Sequence, residues 1–358
     1  MSKNYNLVQN YKGLTKKLMG QIALVAFSFC QFVYMANIGY ASTSGESEAK
    51  KEINTIQVQA MDNSDSKKAK IYGSSVGAKT IYIYNDEGSD PQGLTQISDS
   101  LQEVFGNSYR IEYIDSNNTI LGQWKKDAAL FIMPGGTDLG YVKKLQGAGN
   151  SMIKDYVNGG GSYLGICAGA YYGASYIEFD KGGNFEVVGP RELQFFDGKA
   201  IGPAIAQYSY ENTSGARAAQ IELKMPDNEL NGEIISIYFN GGPYFIAKRD
   251  NYFITHAATI NNQYKKEYSE NISDLERGKE ENDSRFIGYY RGTDYFLPAI
   301  VQIDYGQGSV ILSGVHLEYN YRKLDSSDQH LAKVTEQLSL DDSSRFALLK
   351  LVCNQLGL

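Results

Sequence analysis

The chain has 358 residues, of which 42% are hydrophobic and 21% charged, and its formal net charge is −7. This length is enough for one large domain or two small ones, and the composition is typical of a soluble globular protein. The acidic balance, with no run of lysine and arginine that suggests a nucleic-acid groove, argues against a nucleic-acid-binding protein. The 28 tyrosines, against a single tryptophan, indicate strands beyond a simple α/β core.

The N-terminal segment has the three parts of a secretory signal peptide. Residues 1–20 contain four lysines and no acidic residue, Ile22–Ala36 carries no charge, and small residues stand at Gly39 and Ala41. We predict a signal peptide over residues 1–41, cleaved after Ala41, and export to the periplasm or the exterior. The alternative is an uncleaved anchor through residues 22–36, although this run is shorter than the roughly 20 residues that cross a bilayer. The protein is expected to interact with a membrane only if this segment remains uncleaved.

Residues 42–78 are polar and of mixed charge, which is typical of a linker or a loosely docked arm. Order is predicted to begin at Lys79, so residues 79–358 form a single domain. Its first part alternates strands and helices, which predicts βαβ units and a parallel sheet. The predicted elements are a strand at Thr80–Tyr84, a helix with Leu94, Ile97, Leu101 and Val104 on one face, strands at Tyr109–Ile114 and Ala128–Met133, a helix with Met152, Ile153, Tyr156 and Val157 inward, and a strand at Ser162–Ile166.

The chain after residue 176 has a different pattern, with short strand-like runs separated by glycine, asparagine and aspartate. Two alternating runs within Ala299–Tyr319 predict a hairpin that turns at Gly306–Gly308. Helices are predicted near residues 327–339 and 344–356, and residues 269–285 form a charged loop. We therefore predict an α/β fold with an open, mostly parallel sheet, added antiparallel strands and C-terminal helices.

The stretch GGGSYLGICAGAYYGAS, residues 159–175, places Cys167 where a buried strand ends and a helix begins. A nucleophile at that position requires a sharp turn, and the small residues at 165 and 168–170 relieve its crowding. The sulfur would lie at the carboxyl edge of the sheet, where α/β folds place ligands, and the helix N-terminus would favour the thiolate form. The alternative is a buried cysteine in a glycine-rich packing site.

A thiolate nucleophile needs a base, and the chain has three histidines. His330 is predicted on a surface helix, and His256 is predicted in a strand as a satisfied sheet residue. His316 ends the second arm of the hairpin, and Glu318 follows two residues later. Because residues i and i+2 of a strand point to the same side, Glu318 can hold one imidazole nitrogen while the other faces outward. The alternative is a strand end with an incidental acid nearby.

The segment FIMPGGTDLG supplies candidate hydrogen-bond donors for an oxyanion. Pro134 ends the third strand, and Gly135 and Gly136 allow backbone amides to approach a reacting atom closely. The Ala168 amide, next to the nucleophile, would be the second donor. A second glycine loop, Tyr238–Phe245, either lines the pocket or only turns the chain.

The remaining cysteines are given other roles. Cys30 leaves with the signal peptide, and Cys353 is predicted to be a small core hydrophobe of the last helix. A disulfide between Cys167 and Cys353 is possible, but it would remove the free thiol that a nucleophile at Cys167 requires. The sequence shows no cluster of cysteine, histidine and aspartate with metal-ligand spacing, so neither a metal nor another cofactor is expected.

Taken together, the motifs MPGG, GICAGAYY and GVHLEY resemble those of the class I glutamine amidotransferase superfamily. Within it, the tyrosines after CAGA, the FNGG segment and SGVHLEY are similar to the N-terminal domain family of biotin-protein ligase, which has standalone bacterial members. The resemblance covers roughly residues 79–320 and implies an open, flavodoxin-like sheet. It also implies a nucleophile, a base, an orienting acid and two oxyanion donors, which are Cys167, His316, Glu318, and Gly136 with Ala168.

The chain departs from the superfamily pattern at two positions. Tyr171 stands where glutamine-hydrolysing members carry a substrate-holding glutamine, which leaves the substrate open. Leu317 replaces the usual proline between His316 and Glu318. The sequence also has nothing that resembles the glycine- and arginine-rich loop with which the ligase holds biotinyl-adenylate, so biotin ligase activity is not expected.

The leading hypothesis is an exported, cysteine-dependent amide hydrolase with a Cys167–His316–Glu318 triad. Its substrate would be a small-molecule or peptide amide, with Gly135 and Tyr171 at the binding site. The alternative is a non-catalytic binding module that keeps the amidotransferase-like fold, and a purely structural surface protein is disfavoured by the triad. No nucleic-acid partner is expected, and the sequence leaves the oligomeric state open.

Overall fold

The computed structural model of the chain describes residues 79–226, 228–249, 252–254, 284–293 and 297–358. The predicted signal peptide, the linker at residues 42–78, His256 and most of the charged loop at residues 269–285 lie outside the described residues. In the part of the chain that is described, no helix combines the length and the apolar character that a membrane span needs.

Along the described part of the chain, the predicted strands and helices occur in the predicted order, and the structure adds helices at Ser116–Leu121 and Asp138–Leu145 and a strand at Tyr244–Arg249 that were not predicted. The strands are β1 (Thr80–Tyr84), β2 (Arg110–Ile114), β3 (Ala128–Met133), β4 (Ser162–Ile166), β5 (Ala174–Phe179), β6 (Val187–Pro190), β7 (Phe196–Gly202), β8 (Arg217–Leu223), β9 (Ile234–Phe239), β10 (Tyr244–Arg249), β11 (Tyr252–Ile254), β12 (Ser284–Tyr290), β13 (Leu297–Tyr305) and β14 (Gly308–Ser313). The helices are α1 (Pro91–Phe105), α2 (Ser116–Leu121), α3 (Asp138–Leu145), α4 (Ala148–Asn158), α5 (Ala168–Gly173), α6 (Leu331–Leu340) and α7 (Asp342–Gln355).

The larger sheet joins nine of the described strands in the order β2-β1-β3-β4-β14-β13-β12-β8-β9. The strands from β2 to β14 in this order run parallel, and the others are added antiparallel. The predicted α/β class and the antiparallel additions are confirmed, but the sheet is mixed rather than mostly parallel. The cause is the tight turn at Gly306–Gln307, because a hairpin reverses the chain direction between β13 and β14.

A second sheet contains five described strands in the order β11-β10-β7-β5-β6. It begins directly after α5, and all its pairings are antiparallel except that of β5 with β7. The sequence predicted short strands here, except β10, but not their separation into a second sheet. Strand pairing depends on contacts between distant segments, and the local pattern of side chains does not encode them.

Alternate side chains of the parallel strands enter two different hydrophobic cores. Ile81 and Ile83 of β1 pack in the core that contains side chains of α1 and α7. Tyr84 packs in the core that contains side chains of α3, α4 and the smaller sheet. Because both faces of the larger sheet are covered, the carboxyl edge of its parallel strands is where a binding site is expected.

Candidate active site

A cavity of about 400 Å³ lies at the carboxyl edge of the parallel strands. The loops that follow β1, β3, β4 and β14 meet there, because parallel strands end at the same edge of a sheet. The loop that follows β9 completes this part of the wall. Residues that these loops contribute to the cavity are Ser89, Asp90, Gly136, Thr137, Asp138, Cys167, Ala168, Asn240, Gly241, His316 and Tyr319.

Cys167 is the residue at which β4 turns into α5, as the sequence predicted. Its backbone angles are φ 50° and ψ −105°, a conformation that a residue with a side chain rarely adopts and that costs about 1–3 kcal/mol. The predicted need for small neighbours is confirmed. A Cβ atom on Gly165 would lie 2.5 Å from the Gly169 carbonyl oxygen, and one on Gly169 would lie 2.0 Å from that of Met133. The packing therefore holds the thiol on a strained turn.

The Cys167 thiol is buried to 7% exposure but lines the cavity. Its backbone N–H donates to the Ser313 carbonyl at 2.8 Å, which ties the turn to β14. The sulfur has two hydrogen-bond partners. They are the Asn240 carbonyl oxygen, 3.7 Å away, and the His316 imidazole. Cys167 is not in a disulfide, so the sulfur is available to a molecule in the cavity.

The second cysteine of the described residues has a different environment. Cys353 lies in α7, is fully buried and is not in a disulfide. Burial raises the pKa of its thiol to about 12, which leaves it protonated and unreactive at neutral pH. The prediction of a small core hydrophobe is confirmed.

His316 and Glu318 form a buried pair at the cavity. The His316 Nδ1 atom lies 2.8 Å from Glu318 Oε1. The sequence predicted this pairing from strand periodicity, but that reason is wrong because β14 ends at Ser313. His316 lies beyond the strand, where its N–H donates to the Tyr238 carbonyl at 2.8 Å, and the Tyr319 N–H closes a turn onto the His316 carbonyl at 3.3 Å. A turn after the strand, and not the alternation of side chains along a strand, brings Glu318 to the imidazole.

Burial and charge act in opposite directions on the His316 imidazole. Burial lowers its pKa, but the charge of Glu318 and the hydrogen bond and charge of Cys167 raise it more, so the pKa of His316 lies well above 6.5. These interactions favour the protonated form of the imidazole. The rings of Tyr238 and Tyr319 contact it edge to face, with centroids at 5.5 and 4.8 Å.

Helix α1 holds the segment that contains Glu318. The Ser100 hydroxyl donates to the Glu318 carbonyl at 2.7 Å, and the Asn320 N–H donates to the Gln96 side chain at 3.0 Å. Between them, the Tyr319 hydroxyl donates to Asp90 at 3.1 Å. The sequence analysis missed these residues. The Ser-Asp-Pro start of a helix after the first strand could have identified Asp90, because that position faces the same edge of the sheet.

The predicted oxyanion donors lie on the cavity wall. Gly136 and Ala168 line it, and among the described residues their N–H groups have no backbone acceptor. Gly136 has φ 138°, and a Cβ atom there would lie 1.9 Å from the Gly88 carbonyl oxygen, so only glycine fits. Gly135 packs behind the site, where a Cβ atom would lie 2.8 Å from the His316 ring.

Tyr171, at the position of the substrate-holding glutamine, forms part of the cavity wall. Its hydroxyl donates to the Gly241 carbonyl at 3.0 Å, and its side chain is 4% exposed. A Cβ atom on Gly202 would lie 2.0 Å from this hydroxyl, so the ring is tightly enclosed. The structure thus gives Tyr171 a packing role and leaves its hydroxyl engaged with the backbone.

The other predicted residues divide between the cavity and the surface. The glycine loop at Tyr238–Phe245 lines the cavity through Tyr238, Asn240 and Gly241, which decides between the two interpretations of that loop. His330 immediately precedes α6 and is not among the residues that line the cavity. Within the described residues, no group of three or more histidine, cysteine, aspartate or glutamate side chains is arranged to hold a metal.

Comparisons with known proteins give a consistent set of relatives. The family description "Biotin-protein ligase, N terminal" matches residues 79–358. The biotin-protein ligase of Schizosaccharomyces pombe is 29% identical over 281 residues, which are 78% of this chain and 38% of the ligase. An uncharacterized protein of Chlamydia muridarum is 29% identical over 263 residues, covering 72% of this chain and 88% of that protein.

The chain therefore spans well under half the length of the yeast ligase that it matches. Among solved structures, a cytoplasmic protein of Salmonella typhimurium LT2 aligns with 78% of this chain and 99% of its own, at 12% identity and a TM-score of 0.40.

Proposed function

The chain belongs to the biotin-protein ligase N-terminal family through residues 79–358, and on this premise we propose that it is a cysteine-dependent amide hydrolase. The observation that carries the proposal is the meeting of Cys167, on a strained turn, with the buried His316–Glu318 pair at one cavity. These residues come from two loops that are distant in sequence. A nucleophile, a base and an acid that orients the base are the parts of a catalytic triad.

In the proposed resting state the proton that Cys167 and His316 share is on the imidazole, and the sulfur is a thiolate. A protonated imidazole beside a thiol favours the thiolate, which is the reactive form. The sulfur adds to the amide carbonyl carbon, and the electron pair of the C=O bond moves to oxygen. The N–H groups of Gly136 and Ala168 are placed to stabilise this oxyanion.

The oxyanion then collapses, and the C–N bond breaks as the leaving nitrogen takes the proton from His316. The acyl group remains on sulfur as a thioester. Water gives one proton to the now neutral imidazole, its hydroxyl adds to the thioester carbonyl, and the thiolate leaves with the C–S electron pair. The products are the carboxylic acid and the amine, and the site returns to its starting state.

We also propose the finer fold assignment to the class I glutamine amidotransferase-like, flavodoxin-like group. The strand order β2-β1-β3-β4-β14 supports it, because it matches the flavodoxin-like order with β14 in the fifth place. Export through residues 1–41 is proposed as well, on the charge and apolar pattern of that segment.

The proposed nucleophile is tested by thiol labelling. The full-length protein is treated with a limiting amount of iodoacetamide at pH 6.5, and the alkylated residues are identified by mass spectrometry. We expect the label on Cys167 and its loss in Cys167→Ala. Cys353→Ala is the matched control and should label like the wild type, because Cys353 is fully buried. Absence of the label from Cys167 while another cysteine is alkylated would contradict the proposal.

A second candidate is a binding module that keeps the fold without turnover. The observation that favours it is the engaged hydroxyl of Tyr171, which replaces a substrate-holding glutamine and bonds to the backbone instead. Hydrolysis of a panel of aryl, peptide and γ-glutamyl amides separates the two candidates. Turnover that is lost in Cys167→Ala supports the hydrolase, and binding of these amides without turnover supports the module.

A further inference from the structure

One side of the cavity is an aromatic wall formed by Tyr171, Phe179, Tyr208 and Tyr210. Their rings contact each other in sequence, with centroid distances of 5.7, 5.8 and 4.7 Å and nearly perpendicular planes. All four residues line the cavity. The wall runs from Tyr171, which is 4% exposed beside the nucleophile, to Tyr210, which is 49% exposed. It therefore offers ring faces and edges from the reacting centre to the opening.

The cavity also carries two carboxylates at helix N-termini. Asp90 caps α1, and its Oδ2 accepts hydrogen bonds from the Gly93 N–H at 2.7 Å and the Tyr319 hydroxyl at 3.1 Å. Asp138 is the first residue of α3 and pairs with Arg191 at 2.6 Å. A helix N-terminus attracts anions, and here the protein's own carboxylates occupy both positions.

The described residues that line the cavity include no lysine or arginine. Arg191 is buried to 7% exposure, does not line the cavity and has its charge matched by Asp138. Among the lining residues that the structure describes, a carboxylate on a substrate would therefore be desolvated next to Asp90 without a lysine or arginine to pair with, which is unfavourable. An aromatic or apolar group would instead contact the aromatic wall, where edge-to-face contacts are favourable.

We infer that the cavity takes a carboxamide whose acyl group is aromatic or apolar, with no carboxylate beside the reacting carbonyl. This inference rests on the proposed function, because it names the substrate class of that site. It disfavours free glutamine, because the described lining residues offer its α-carboxylate no lysine or arginine and the His316 imidazole is already paired with Glu318. A cavity of about 400 Å³ holds a substituted aromatic ring together with the carboxamide.

The inference is tested by binding, without turnover. The full-length Cys167→Ala variant is titrated, by ligand-observed NMR, with phenylacetamide and with the same amide carrying a carboxylate or an aminomethyl group on its α carbon. We expect the neutral and cationic amides to bind at least about tenfold more tightly than the carboxylate, the effect of one unpaired charge. Equal or tighter binding of the carboxylate, or no binding of any of the three, would overturn the inference.

Two variants connect the result to the named residues. In Asp90→Asn, which retains a good helix cap, the carboxylate amide should gain about tenfold in affinity as the charge opposing it is removed. In Tyr210→Ser, phenylacetamide should bind at least about threefold more weakly, since one ring contact is lost. Tyr113→Ser is the matched control and should change nothing, because Tyr113 is a half-exposed tyrosine of β2 that does not line the cavity.

Failure of the hydrolase proposal and failure of this inference give different results. If Cys167 is not a nucleophile, iodoacetamide does not label it preferentially. The order of the affinities of the three amides still tests which substrate class the cavity binds. If the substrate class is wrong, labelling of Cys167 is retained and the carboxylate amide binds best.

Discussion

The Nδ1 atom of His316 lies 2.8 Å from a carboxylate oxygen of Glu318, and the two side chains are 5% and 1% exposed. The pair fixes the orientation of the imidazole and leaves Nε2 for the Cys167 thiol. Its second carboxylate oxygen is buried without a hydrogen-bond partner among the described residues. The carboxylate charge is therefore directed at the imidazole, which is what a base that must accept and return a proton requires.

Replacement of His316 by glutamine should slow the reaction of Cys167 by at least about tenfold at pH 6.5, because the protonated imidazole that favours the thiolate is lost. Hydrolysis of any amide substrate should fall by about 10²-fold or more, the usual contribution of a general base. Both rates are measured on the full-length protein. His330→Gln is the control, and an equal loss in that variant would show that the effect is not specific to His316.

Stability should depend on pH through His316. Its folded-state pKa is raised above 6.5, so its contribution is complete below about pH 6.5 and is lost as pH rises through the raised value. The contribution of His316, measured as the difference between the wild type and His316→Gln, should fall with pH by at most about 1.4 kcal/mol per unit. Urea denaturation from pH 6 to 9 measures it. A difference between the two proteins that grows with pH would contradict the assignment.

Gly169→Ala should destabilise the turn that carries Cys167. The added methyl group would lie 2.0 Å from the Met133 carbonyl oxygen, so β3 or α5 must shift. We expect a loss of about 3 kcal/mol or more in the free energy of unfolding. Thermal or urea denaturation measures it. Gly159→Ala is the control, since its methyl meets nothing closer than 3.2 Å. Equal stability of the two variants would show that the turn at Cys167 can adjust to the added methyl group.

The proposed export predicts a mature chain that begins at Ser42. N-terminal sequencing of the exported chain measures this directly. Ala41→Asp should block cleavage because the peptidase requires a small residue there. The same change at Ala60, in the predicted linker, should have no effect. A mature chain that starts at Met1 would support the anchor through residues 22–36 instead.

The strands at Thr80–Tyr84, Ala128–Met133 and Ser162–Ile166 could be predicted to the residue. Each is a short apolar run between polar or glycine-rich segments, and burial on both faces of the sheet imposes that pattern locally. The sharp turn at Cys167 was also predictable, because its small neighbours are adjacent in sequence. By contrast, the second sheet and the mixed direction of the larger one depend on which distant strands pair.

By itself, the sequence determined the order of the elements, the residue at the strand–helix turn and the pairing of a histidine with a nearby acid. These properties depend on neighbours within a few residues, where backbone geometry and side-chain size act directly. Only the tertiary structure decided that Asp90, Tyr208 and Tyr319 share the cavity with Cys167, and that a turn rather than a strand brings Glu318 to His316. Those contacts form when parallel strands align their carboxyl ends, and no local sequence pattern specifies which loops will meet there.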